Sequence, residues 1–409
     1  MRKESPKKKS RQGRDTSTKS EDLGFDVEAE VACGDGSENV AMEASIWSAL
    51  PEDLTDRILA WLPLPSLFQA RTVCKRWNAN IFSRVFLEMY SGIICRSSYF
   101  LLFPSIGEHL VCSAYNTGSK KWQSMPPLSF LPSQVKFVEG AAGGLLFFSV
   151  GVQLKPVKLF VCNLLTKSWR ELPDMAHKRT PIVRHMVVDE ATKAYKIIVA
   201  GNAEFISNRG QYNRFLNTEV YDSVSNLWTE AGRLPARFDP NWSSAYCNEK
   251  LYCVVNEADT LNRRLGVITY DLKQGLWSDA LEELPEGFSL AQVVDCGGHV
   301  MMVAERYKNG NVKSIHILRL ESSSHEWTEL SKLPRKMLME FRRICDEESY
   351  SCAAHKEHVY LTSFRGLQVL VYNVVQSSWE WLPKCPIFDA QIDYRAVGFP
   401  FAPSLHASI

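Results

Sequence analysis

The sequence has no dominant charge, no paired cysteines and no long apolar run, and each absence closes a class of function. Forty-seven Lys/Arg balance 46 Asp/Glu, leaving a formal charge of +1. A protein built to bind nucleic-acid phosphates carries a large basic excess, so that class is disfavoured. No apolar stretch approaches the roughly 18 residues needed to span a bilayer. No apolar segment follows the basic N-terminal cluster either, so neither a membrane span nor secretion is expected. The 11 cysteines lie singly, the nearest pair being Cys247 and Cys253, and C-x-x-C is absent. Disulfide scaffolds and zinc ribbons need denser spacing. Buried thiols in a reducing compartment, nucleus or cytoplasm, are therefore expected. G-x-S-x-G, the P-loop and H-E-x-x-H are missing as well.

What is present falls into three zones along 409 residues, a length that calls for more than one domain. Residues 1–20 hold eight Lys/Arg and two acids, whereas residues 21–45 hold eight acids and no Lys/Arg. With so little apolar surface to offset chain entropy, residues 1–45 are expected to form a disordered tail. Its run Pro6-Lys7-Lys8-Lys9-Ser10-Arg11 reads either as an import signal or as a solvated tail.

Residues 46–90 read as a small all-α unit of three helices. Pro51 suits a first helical position, and Glu52 and Asp53 suit the positive end of the helix dipole. Leu50, Leu54, Ile58, Trp61 and Leu62 then form one apolar stripe. Pro63 and Pro65 are expected to stop that helix and prevent its restart, with Ser66 capping the next one. A second stripe, Leu67, Ala70, Val73, Cys74, Trp77 and Ile81, continues across a break near Thr72, and Phe82–Tyr90 closes the unit. So small a unit cannot hide all of these side chains. The surplus has to meet the rest of the chain or another protein.

Residues 93–405 change to period-two alternation with an internal repeat. Trp122, Trp169, Trp228, Trp277, Trp327 and Trp379 recur at intervals of 47, 59, 49, 50 and 52 residues. Seven positions before each stands Tyr115, Cys162, Tyr221, Tyr270, Leu320 or Tyr372. Six before stands Asn116, Asn163, Asp222, Asp271, Glu321 or Asn373, and a proline follows each tryptophan. The pattern describes a hairpin whose Asx-type side chain sets the turn. The tryptophan opens the next strand as a core residue. A second strand pair precedes each hairpin, for example Ile182–Val188 with Tyr195–Ala200. Six four-stranded sheets packed radially make a six-bladed β-propeller. Only three strands fit before Trp122, and one, Tyr394–Phe401, is left over. This C-terminal strand is expected to become the innermost strand of the first blade.

The two modules resemble known ones in a known order. Leu50-Pro51-Glu52-Asp53-Leu54, Ile58-Leu59, Leu62-Pro63 and Val73-Cys74-Lys75-Arg76-Trp77-Asn78 resemble an F-box. The six repeat units, with the doublets Gly143-Gly144 and Gly297-Gly298 ahead of second strands, resemble kelch repeats. Together they resemble the plant F-box/kelch-repeat protein family. That resemblance implies a non-catalytic substrate-recognition subunit of an SCF (Skp-cullin-F-box) ubiquitin ligase, without cofactor. The F-box would dock a Skp-type adaptor, and through it a cullin-RING ligase, by way of Leu50, Pro51, Leu54, Ile58, Leu59, Leu62, Val73, Cys74 and Trp77. Several of these residues also have to hold the F-box's own core. The propeller would hold a client protein through the turns joining second to third strands and through the inter-blade links. Arg209, Arg263, Arg264, Arg306 and Arg365 are the candidate client contacts there, suited to an acidic or phosphorylated segment. The alternative is a kelch scaffold that binds a partner without ubiquitin transfer.

Chemistry of the chain's own is weakly signalled. His355 and His358 are the closest histidine pair, and on one alternating strand they would face opposite sides, which argues against a metal site. Asp222 and Asp271 are read as turn formers rather than as paired catalytic carboxylates.

Overall fold

The computed structural model describes residues 50–62, 64–91, 98–104, 110–125, 127–135, 137–150, 157–201, 216–257, 264–308, 311–345, 350–364, 368–386, 396–405, 407 and 409. The tail expected over residues 1–45 lies outside them. Four short helices come first, α1 (Glu52–Trp61), α2 (Leu64–Ala70), α3 (Lys75–Asn80) and α4 (Arg84–Ser91). The expectation at Pro65 fails: α2 already runs from Leu64, so Pro65 sits in its first turn and Ser66 is not the cap. A first-turn proline forfeits no helical hydrogen bond, which is why the restart is tolerated.

Six antiparallel sheets follow. From the innermost strand outward, blade 1 is β25 (Ala396–Phe401), β1 (Tyr99–Pro104), β2 (Ser113–Asn116) and β3 (Lys121–Ser124). Blade 2 is β4 (Phe137–Ala142), β5 (Leu145–Val150), β6 (Lys158–Asn163) and β7 (Ser168–Glu171). Blade 3 is β8 (Val183–Val188), β9 (Tyr195–Ala200), β10 (Thr218–Asp222) and β11 (Leu227–Ala231). Blade 4 is β12 (Phe238–Cys247), β13 (Lys250–Glu257), β14 (Leu265–Asp271) and an interrupted outer strand, β15 (Leu276–Trp277) and β16 (Glu282–Glu283). Blade 5 is β17 (Phe288–Cys296), β18 (His299–Lys308), β19 (Asn311–Leu320) and β20 (Trp327–Lys332). Blade 6 is β21 (Tyr350–His355), β22 (His358–Ser363), β23 (Val369–Asn373) and β24 (Ser378–Trp381). A helix absent from the repeat reading, α5 (Arg335–Cys345), joins blades 5 and 6.

The ring closes as the leftover strand requires. β25 pairs with β1 from Tyr99↔Phe401 to Pro104↔Ala396. The inner strands β25, β4, β8, β12, β17 and β21 are each in contact with the next around the circle, and β21 returns to β25. Side chains also bridge blades near the axis. The Gln292 amide donates to the Tyr350 carbonyl at 2.6 Å and accepts from the Cys352 N–H at 2.9 Å.

The repeat offsets have a direct geometric meaning. Each residue seven before a tryptophan is its cross-strand partner, from Tyr115↔Trp122 to Tyr372↔Trp379. Where it is tyrosine the two rings lie 4.9–5.4 Å apart, within the range favoured by aromatic pairs. The residue six before sets the turn in five blades. The Asp271 carboxylate, for instance, accepts the N–H groups of Lys273 and Gln274 at 2.9 Å. Asn116, Asn163, Asp222 and Asn373 do the same. Glu321 differs, because its longer side chain turns to Arg319, 2.8 Å away. Four residues after each of these six positions, the backbone is left-handed (Lys120, Lys167, Asn226, Gly275, His325, Ser377).

None of the six tryptophans is fully buried; all but Trp169 pack against the core from its edge. Five are half-buried on the outer strands, and Trp169 is 43% exposed. Four of their indoles tie a blade to the one before it. Trp122 donates to the Pro383 carbonyl and Trp228 to the Pro173 carbonyl, both at 2.7 Å. Trp277 donates to the Thr218 hydroxyl at 2.8 Å and Trp379 to the Ser331 hydroxyl at 3.0 Å. The Trp327 N–H is buried with no such partner.

Three outcomes follow from this architecture. Truncation after Ala390 removes β25 and should collapse the thermal transition of the propeller, and unchanged melting would contradict ring closure. Trp228→Phe should cost about 1 kcal/mol in urea unfolding through the lost inter-blade hydrogen bond, and Trp327→Phe less. Finally, His185 on β8 has Nδ1 3.0 Å from the Ser244 hydroxyl of the next blade, and burial pushes its imidazole down to about 4 from the ordinary 6.5. The fold holds the neutral ring, so its contribution is complete above pH 6.5 and falls as pH drops from there towards 4. His185→Asn should flatten that part of the stability profile.

Candidate functional site

The helical unit divides its apolar surface between two sides. Thr55, Leu59 and Ala60 of α1 are buried, and Leu59 packs with Leu67, Ala70, Ile81, Phe86 and Tyr90 as the unit's core. Three members of the stripe read from the sequence lie on the other side: Leu54 and Ile58 are exposed, and Trp61 is 71% exposed. α1 is thus apolar on two faces, and among the described residues only one of them is packed into a core. Val73, at 64% exposure, and Val85 add to the open surface.

Each residue assigned to docking from the resemblance now has a place. Leu54, Ile58, Val73, Cys74 and Pro51 are exposed, and Leu50 is half-buried. Leu62 and Trp77 are partly buried against the core. Leu59, 1% exposed, is a core residue. Cys74 has a local task. It caps α3 from an extended conformation, its Sγ accepting the Trp77 N–H at 3.4 Å. Trp61 and Val85 were absent from that set, although Trp61 belongs to the same helical stripe and was findable by it.

The chain beyond β25 connects this unit to the propeller. Leu405 is buried in the helical core, with Leu165 of blade 2 packed alongside. Next to it, the Asn163 side-chain amide donates to the carbonyls of Ser404 and Ala407 at 2.9 and 2.8 Å. Gly144, in the turn between β4 and β5, has φ +86° and approaches Ser404 so closely that a Cβ would lie 2.5 Å from the serine Cβ. The chain past β25 therefore straps the helices to the rim that carries the first-to-second and third-to-fourth turns. The antiparallel order puts the second-to-third connections and the inter-blade links on the opposite rim.

The arginines proposed for that far rim fare unevenly. Arg209, Arg263 and Arg365 lie outside the described residues. Arg264 is engaged, its Nε donating to Glu257 at 2.6 Å and its Nη1 lying 3.4 Å from Glu283. Arg306 belongs to β18 rather than to a loop, because β18 and β19 run on to the Lys308↔Asn311 pair. It is exposed and stacks 4.5 Å over the Phe288 ring.

Groups with the look of chemistry are held in structural roles. His355 and His358 are cross-strand partners over the β21–β22 turn, so they share a face, contrary to the single-strand expectation. Among the described residues no group of three His, Cys, Asp or Glu is placed to hold a metal ion. Burial pushes the Cys247 and Cys296 thiols up to about 12 and others further, the opposite of an activated nucleophile. Fully buried Glu219 is paired with Arg179 at 3.0 Å and accepts the Ala176 N–H at 2.8 Å, anchoring the link between blades 2 and 3.

With this geometry in place, comparison with known proteins is decisive. The sequence profile of the KIB1-4 beta-propeller matches residues 110–373, and that of the F-box domain matches residues 47–88. The chain belongs to the KIB1-4 beta-propeller family and carries an F-box. Among its relatives in Arabidopsis thaliana is F-box only protein 6, 28% identical over 85% of this chain and 71% of that protein. An F-box/kelch-repeat protein is 26% identical over 88% of this chain and 90% of its own length. Protein UNUSUAL FLORAL ORGANS is 26% identical over 84% and 80%. The F-box profile spans the helices whose outer stripe is open, and the propeller profile ends at Asn373, before the closing strand.

Proposed function

We propose that the chain is the substrate-receptor subunit of an SCF-type ubiquitin ligase. Its F-box docks a Skp-type adaptor and, through it, the cullin-RING assembly, while the propeller presents a client protein. The observation that carries this reading is the exposed outer stripe of α1, Leu54, Ile58 and Trp61, with Val73 exposed as well. Contiguous exposed apolar surface on a small unit is a protein-docking feature. Leu50 and Pro51, which precede α1, join the docking set on the strength of the F-box pattern, and Leu59 supports the face from beneath.

The mechanism is proximity. No side chain of this subunit reacts. A client lysine is held near the activated ubiquitin, so the transfer step proceeds as if at high local concentration. The strap serves that role by fixing the F-box against one rim and leaving the other rim for the client. Of the five arginines read from the sequence for that rim, Arg306, on its Phe288 platform, is the described one that is exposed outside an ion pair.

Leu54→Ala combined with Ile58→Ala should abolish co-purification with a Skp-type adaptor and leave thermal melting unchanged. Leu59→Ala should instead destabilise the helical unit, by about 2–5 kcal/mol. Wild-type adaptor recovery by the double variant would overturn the assignment.

A further inference from the structure

Helix α5 does more than bridge blades 5 and 6. Its inner side, Leu338, Phe341 and Cys345, is buried in the core between those blades. Its outer flank and the chain leaving β24 enclose a groove of about 400 Å³, at the small end of ligand-sized clefts. The floor is apolar: Ile344, Trp381 and Leu382. Arg343 stands on the helix side and Lys384 on the blade 6 side. Both are exposed, and neither makes an ion pair among the described residues. The carboxylate at the groove, Glu340, is turned to the floor, where it accepts the Trp381 indole N–H at 3.3 Å.

The helix itself is strongly basic, with Arg335, Lys336, Arg342 and Arg343 against Glu340 as its sole acid. Arginines in a last turn are favoured by the helix dipole even without a ligand. That explanation does not reach Lys384, which stands on the opposite lip and doubles the positive charge. As an inter-blade link, α5 lies on the rim away from the F-box, and Trp381, the last residue of the outer edge strand β24, lines its groove.

We propose that this groove receives an extended acidic segment of the client, with one bulky apolar side chain on the Trp381 floor and flanking carboxylates on Arg343 and Lys384. Charge complementarity selects this occupant, since a basic or neutral peptide leaves both cations unmatched. The extended form suits a cleft bordered by a sheet edge. Naming the occupant a client rests on the receptor reading, whereas the binding itself does not require a ligase.

The test is fluorescence anisotropy on the full chain with a labelled peptide of sequence Glu-Asp-Glu-Phe-Glu-Asp-Glu. Saturable binding that weakens with added salt is expected. Arg343→Glu with Lys384→Glu should reduce affinity by about tenfold or more, and replacing the peptide's phenylalanine with alanine should do likewise. Should the charge-reversed protein melt abnormally, Arg343→Gln with Lys384→Gln provides the same comparison. Absence of binding to the wild-type chain, or unchanged affinity in the double variant, would overturn the proposal. So would binding seen only when phosphoserine replaces the glutamates. Adaptor co-purification, measured on the same preparations, should be unaffected by the groove variants. Its failure in the wild-type chain would remove the receptor reading and leave the peptide result standing.

Discussion

A sheet of four short strands cannot bury both of its faces alone, and every blade of this protein is such a sheet. The pairing of β25 with β1 turns six marginal sheets into a closed ring in which each face meets a neighbour. The indole hydrogen bonds at the periphery and the Gln292 amide near the axis then fix adjacent blades at two radii. Loops on either rim inherit their positions from that closure.

The F-box poses the opposite problem. Its helices hold more apolar side chains than a unit of this size can enclose. α1 resolves this by having two apolar faces, one spent on the unit's own core and one left open. The contact with Leu405 and Leu165 takes up part of the remaining surface and joins the unit to the ring. The outward stripe is then a constant feature of a mounted domain rather than an accident of incomplete folding. Its chemistry is generic, and its position relative to the far rim is what gives it meaning.

Repetition made most of the ring legible in the sequence. The seven-residue offset from tyrosine to tryptophan is the hairpin register itself, and the Asx residues announced their turns. Strand counting at the two ends was enough to assign the closing strand. What remained hidden depended on facing and on context. Periodicity places Leu54, Ile58 and Trp61 on one stripe, but nothing in α1 says that the neighbouring Leu59 side turns inward instead. A tryptophan next to a turn reads as core, yet its N–H needs a carbonyl on another blade, and that partner lies 55 residues from Trp228 and 261 from Trp122. α5 was legible by pattern, since Leu338, Phe341 and Cys345 follow helical spacing after Pro334, but the β-repeat framework left it as a link. Arg306 was misplaced for a related reason, because the strands of blade 5 run longer than those of its neighbours.

The strand that completes blade 1 is separated from its partner by nearly the entire propeller. During vectorial synthesis the F-box and the outer strands of blade 1 emerge early. At ribosomal speeds they wait on the order of tens of seconds for β25 to appear. Throughout that interval β1 presents a bare hydrogen-bonding edge, with its Phe100 and Leu102 uncovered. Chaperone demand should accordingly be set by the distance between these two strands, and a nascent chain stalled late in translation would resemble a damaged protein more than a nearly finished one.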